Sequence, residues 1–132
     1  MKASLSSEDR EALVRYRVER SKDTLREVDY LVKGGFYSAA VSRLYYACYY
    51  MAVALLVANN LETMSHAGVK IMLSKHFVKT GLLDKETSKT FFKLFDLRHN
   101  NDYEDYCFCD RDTLDIIRPQ ADKFIASVEA LI

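Results

Sequence analysis

The sequence predicts an all-α protein, one domain over residues 1–132 read as five helices. Three observations carry this. One proline and four glycines in 132 residues are too few breakers for a turn-rich β fold. Apolar residues recur at helical spacing along almost the whole chain. Phe36 to Ala58 holds a single charge, Arg43, so this segment reads as a helix apolar nearly all round, the buried centre of the bundle. A hydrophobic share of 49% against 29% charged residues is a globular balance rather than a disordered one.

The elements follow in order. The first helix is expected over about Ser7 to Lys33. Ser6 or Ser7 caps it, Glu8 and Asp9 suit the positive end of the helix dipole, and Gly34-Gly35 ends it. Leu25, Val28 and Val32 continue its apolar stripe. The second runs from about Tyr37 to Asn59. Leu44, Cys48, Met51 and Leu55 share one face, Tyr45, Tyr49, Ala52 and Leu56 the next, and Tyr46, Tyr50, Val53 and Val57 the third. Its alanines, at 39, 40, 47, 52, 54 and 58, allow close approach of neighbouring helices. The charge-free run after Arg43 stops at Ala58, short of a membrane span, and its tyrosines are central rather than interfacial, so no membrane is expected.

The third helix is predicted as one element from Ser65, its cap, to about Thr80, with Val69, Leu73 and Phe77 inward and Gly81 as the stop. Asp84 caps the fourth, which runs to about Asn101. An acidic, aromatic connector follows, Tyr103 to Asp110. The last helix is expected over about Asp112 to Leu131, with Pro119 kinking or restarting it. Gly68 reads as a packing contact.

Charge and cysteine content narrow the function classes. Formal net charge is zero, but Ser65 to His99 carries seven Lys/Arg against three acids, whereas eight acids and three basic residues follow from Asp102. This basic part is either a set of solvated helix faces or a surface for an anionic ligand. Cys48 reads as core. Cys107 and Cys109 form a C-x-C rather than the C-x-x-C of structural zinc sites, so no metal and no cofactor are expected. Three cysteines and a start, Met1-Lys2-Ala3-Ser4-Leu5, without an apolar h-region point to the cytoplasm. The sequence contains no G-x-S-x-G, P-loop, G-x-G-x-x-G or H-E-x-x-H.

Two arginines stand out. A guanidinium on the central helix cannot be neutralised, so Arg43 requires a carboxylate, carbonyl groups or a ligand phosphate. Arg98 ends a stripe of Phe91, Phe95, Arg98 and Asp102 that turns from aromatic to ionic. Either both arginines are satisfied internal charges, paired with Asp102 and tyrosine hydroxyls, or Arg43, Tyr46, Arg98, His99 and Asn100 surround one anion-binding cleft. In such a cleft tyrosines stack on a base while arginines hold phosphate. Of the three histidines, His66 and His76 read as surface or capping residues, and His99 abuts Arg98.

Ser42-Arg43-Leu44-Tyr45-Tyr46-Ala47-Cys48-Tyr49-Tyr50 resembles the "SRxYYAxxx" helix of small, stand-alone HEPN proteins (higher eukaryotes and prokaryotes nucleotide-binding) of bacteria and archaea. Phe77-Val78-Lys79-Thr80-Gly81-Leu82-Leu83-Asp84 is similar to the family's link between middle helices, and Leu97-Arg98 with Asp102-Tyr103 to its "R…DY". The resemblance covers Phe36 to Tyr103 in the family's order. It implies an antiparallel up-and-down bundle of four to five helices that forms a two-fold homodimer, in many relatives the toxin half of a toxin–antitoxin pair, often encoded beside a minimal nucleotidyltransferase partner. Active relatives are metal-independent endoribonucleases with an R-x(4–6)-H motif at the dimer cleft. Arg98 matches that arginine and His99 the polar residue after it. The motif's histidine falls at 103, 104 or 105, which hold Tyr103, Glu104 and Asp105. His99 acting from both protomers, or Tyr103 as a weak acid, are the groups left to move a proton. The implied function is a cleft of Arg43, Tyr46, Arg98, Asn100 and Asp102 that binds RNA or a nucleotide and cuts poorly or not at all. The alternative is a non-catalytic dimeric partner module of the nucleotidyltransferase. In some relatives that enzyme modifies a tyrosine near the motif, which corresponds here to Tyr103 or Tyr106.

Overall fold

The computed structural model describes residues 5–63, 65–103 and 109–132, with the backbone alone for 100–103. It is an all-α bundle of α1 (Ser7–Lys33), α2 (Tyr37–Ala58), α3 (His66–Leu73), α4 (Lys85–Tyr103) and α5 (Arg111–Glu129), with a π-helical turn over Ser74–Val78 closing α3.

The caps account for the starts. Ser6 Oγ accepts from Asp9 N at 3.1 Å and Ser65 Oγ from Gly68 N at 2.9 Å. Asp84 and Asp110 each accept from the backbone N–H and hydroxyl of a threonine three residues on, Thr87 and Thr113. Each cap satisfies an N–H group that the first turn of a helix leaves unpaired. Asp110 thus starts α5 earlier than the expected Asp112, because its carboxylate, not that of Asp112, reaches the third N–H. Gly35 and Gly81, at φ 82° and 83°, supply the left-handed turns that end α1 and follow the π turn.

Two expectations change. The third helix does not run as one α-helix to Thr80: its last turn widens, with Lys79 N bonded to Ser74 O at 2.9 Å. Val69, Leu73 and Phe77 are spaced by four, and in an ideal α-helix each step of four rotates about 40° past a full turn. Widening the turn keeps Phe77 inward with Leu73. Of the kink or restart expected at Pro119, the restart does not occur. α5 passes through the proline, because Leu114, Ile117, Ala121, Phe124 and Val128 are all buried on one stripe, and that packing outweighs one missing backbone bond.

α2 is the centre, packing against α1, α3, α4 and α5, with its most extensive pairing along α1. It is the one described helix long and apolar enough to cross a membrane, and most of it is buried by the rest of the bundle. Ala40, Ala47 and Ala54 recur at intervals of seven and are fully buried. At Ala47 the approach of α1 is close enough for the buried Ser21 hydroxyl to donate to its carbonyl at 2.7 Å. Cys48 lies in the same core, where burial pushes its thiol far above the ordinary value.

Candidate functional site

Four of the five tyrosines of α2, Tyr45, Tyr46, Tyr49 and Tyr50, form a deck at the junction with α3 and α4. Tyr45 is fully buried, stacked on Phe91 at 5.7 Å and edge-on to Phe95 at 6.0 Å. Tyr46, Tyr49 and Tyr50 are half-buried and contact one another in succession, with centroids 6.0–6.2 Å apart. A run of aromatics at consecutive helical positions cannot all face the core. Here the first is inserted and the other three spread over the rim.

Arginines surround this deck. The Arg43 guanidinium lies 5.5 Å from the Tyr46 ring centre, and that of Arg98 lies 5.3 Å from the same ring and 5.8 Å from Tyr45. Arg20 of α1 covers Tyr50 at 5.0 Å and donates to its hydroxyl at 3.3 Å. These distances are those of cation–π contacts. Arg43 also finds the carboxylate its position requires: its Nε and a terminal nitrogen both meet Glu27 Oε2, at 3.0 and 2.8 Å. That partner belongs to α1, and the sequence reading did not find it. A single sequence gives no signal for a pairing across two helices.

Of the expected site residues, the structure brings Arg43, Tyr46 and Arg98 around one ring. His99 is exposed on the next position of α4. The side chains of Asn100, Asp102 and Tyr103, and all of Tyr106, lie outside the described residues, as does any pairing of Arg98 with Asp102.

One residue joins the site against expectation. His66, read as a surface or capping residue, stacks on Tyr49 with ring centres 4.2 Å apart, and its Nδ1 lies 2.7 Å from the Tyr45 hydroxyl. It also meets Tyr46 edge-on at 5.9 Å. The available signal was its place as the first residue of α3, beyond a strong serine cap, which fixes its direction.

Burial shapes the titration of the groups around these rings. Burial, then the nearby Arg98 charge, hold His66 below the ordinary histidine value. Burial raises Tyr45 and Tyr49 above the ordinary tyrosine value. The Tyr45 and Tyr49 phenols therefore stay neutral at neutral pH, beside the Arg43 and Arg98 guanidinium groups at the Tyr46 ring and the Glu27 carboxylate on Arg43. No group of three or more His, Cys, Asp and Glu suited to a metal occurs among the described residues.

Comparison with known proteins gives the family. The family model for the HEPN domain matches residues 14–131. A "UPF0332 protein" of Thermotoga maritima is 34% identical over 125 residues, 94% of each chain. Two Methanocaldococcus jannaschii proteins named "Putative toxin" are also similar. One, MJ0605, is 34% identical over 78% of this chain and 76% of its own length. The other, MJ0142, is 33% identical over 66% of this chain and 59% of its own. With the tyrosine helix, its arginine and the α4 arginine all inside the matched span, this chain belongs to the HEPN domain family.

Proposed function

We propose that this chain is a toxin–antitoxin-type HEPN protein whose cleft binds RNA or a nucleotide and cleaves it poorly or not at all. One observation carries the reading: two arginines on different helices, Arg43 and Arg98, lie over the same half-buried tyrosine ring, Tyr46. Two cations and a π face at one point are the elements that hold a phosphate and stack a base. The names of the M. jannaschii relatives support the toxin-like part. Phosphodiester cleavage without a metal additionally needs a group that moves a proton near neutral pH, and no histidine occupies positions 103 to 105. The working unit in this reading is a cytoplasmic homodimer, with a nucleotidyltransferase as the candidate partner.

The test uses a fluorescein-labelled single-stranded RNA and the intact protein. Wild type should bind it, and Arg98→Met should weaken binding about tenfold or more, the value of one charge-assisted contact, while remaining folded. Incubation with the RNA in EDTA should leave it intact. Absence of binding by folded wild type overturns the reading, and cleavage abolished by Arg98→Met overturns its non-cleaving part.

A further inference from the structure

His66 has a chemistry the family resemblance did not supply. The Tyr45 hydroxyl is fully buried, and among the described residues Nδ1 of His66, 2.7 Å away, is its hydrogen-bond partner. A buried hydroxyl that accepted from Nδ1–H would leave its own hydrogen unpaired, at a cost comparable to a lost hydrogen bond. The phenol therefore donates, Nδ1 accepts, and the ring proton resides on Nε2.

The surroundings hold that state. Protonating Nδ1 would set an N–H against the phenol hydrogen, in a ring stacked on Tyr49 of α2 and facing the Arg98 cation of α4. The phenols Tyr45, Tyr46 and Tyr49 are the titratable groups in ring contact with it, and burial raises Tyr45 and Tyr49, so neither supplies a negative charge near neutral pH. His66 is half-exposed, and its ring lies edge-on to Tyr46, the ring over which Arg43 and Arg98 lie. Nε2–H is the donor left for a ligand there.

We infer that His66 is a ligand-binding group of this cleft: a neutral imidazole, locked as the Nε2–H tautomer by Tyr45, that donates one hydrogen bond to a phosphate oxygen of the bound RNA. This rests on the proposed RNA-binding reading and deepens it. It also assigns His66 a role other than catalysis. A neutral Nε2–H group cannot accept the proton of an attacking hydroxyl at Nε2, and its Nδ1 is occupied. His66 does not replace the missing motif histidine; it helps to hold what the cleft binds.

Two measurements test this. In ligand-free protein at neutral pH, ring-nitrogen NMR should show Nδ1 unprotonated and Nε2 protonated for His66; the opposite tautomer or an imidazolium overturns the assignment. Tyr45→Phe should move the His66 titration midpoint upward, because the donor opposing protonation is gone, and an unmoved midpoint overturns the lock. In binding to the labelled RNA, glutamine can place an N–H near the Nε2 position, whereas asparagine reaches only the Nδ1 position. His66→Gln should stay within about threefold of wild type and His66→Asn should lose about tenfold, each checked for folding by its thermal melt. Equal affinities of the two variants, with Arg98→Met still defective, overturn the role of His66 alone. Loss of binding by folded wild type would instead remove the RNA reading on which it stands.

Discussion

Arg118 and Arg98 are both arginines at helix junctions, one set against carboxylates and one against aromatic rings. Arg118 of α5 bonds Asp29 of α1, and its Nε lies 3.0 Å from Asp122 one turn further along α5. Burial works against its charge, but the two carboxylates outweigh that and raise its pKa. With Lys22 and Glu129 at 2.8 Å, it fastens α1 to α5. Arg98 of α4 instead lies over the rings of Tyr45 and Tyr46. Stacking engages the face of a guanidinium. The first arrangement is a clasp between helices; the second sets a cation against an aromatic face, which the proposed function uses to seat an anion. Arg43 combines them, with one carboxylate oxygen and one ring face.

The largest expected effect strikes the aromatic side through its smallest residue. A Cβ on Gly68 would collide with Thr63 Oγ1 and sit 2.9 Å from Ser65 Oγ, the atom that caps α3. The cap must shift, and His66, the first residue of α3, shifts with it. Gly68→Ala should lose about 2 kcal/mol by urea unfolding, typical of overpacking, and weaken RNA binding as well. A variant as stable as wild type would show that the turn holding His66 yields freely, and the aromatic side would then be less firmly built than the clasp.

Sequence and structure part at this turn for a physical reason. The central helix, its buried faces and the stop glycines were all legible, because periodicity and breakers are local signals. Arg43, Tyr46 and Arg98 were legible as candidates, since a lone charge in an apolar helix demands an explanation. Glu27 and His66 were not. Each matters through a partner 16 or 21 positions away, and nothing in the local pattern around either residue encodes that distance. The π turn after Leu73 was hidden similarly: a spacing of four suits an α-helix, and only the need to bury Phe77 widens it.

The clasp gives the next effect. Arg118→Met should lower stability by about 1 kcal/mol, a modest value because Asp29 and Asp122 remain largely exposed and solvated without it. RNA affinity should not change. Arg98→Met should do the reverse, with near-wild-type unfolding and weakened binding. Crossing the two variants in one unfolding and one anisotropy experiment tests the contrast directly. A clasp variant that lost RNA affinity without losing structure would break it.

The smallest effect separates the two regions by pH. His66, held below the ordinary histidine value by burial and then by Arg98, refuses a proton that the unfolded chain accepts. Its contribution is therefore lost as pH falls below about 6.5, and this loss belongs to the aromatic side. Asp84 and Asp110 are also held low, first by the backbone N–H and then by the hydroxyl of Thr87 and Thr113. Their contribution is complete above the unfolded carboxylate value near 4 and disappears as pH drops through the lower folded value. Acid should thus act in two windows, the histidine first and the helix caps second. His66→Gln should flatten only the upper window. Asp110→Asn, which keeps a capping oxygen, should leave neutral-pH stability nearly unchanged and flatten part of the lower one. Urea midpoints measured across both windows decide this: an upper slope that persists in His66→Gln would place its origin at another group and detach the pH response from the tyrosine deck.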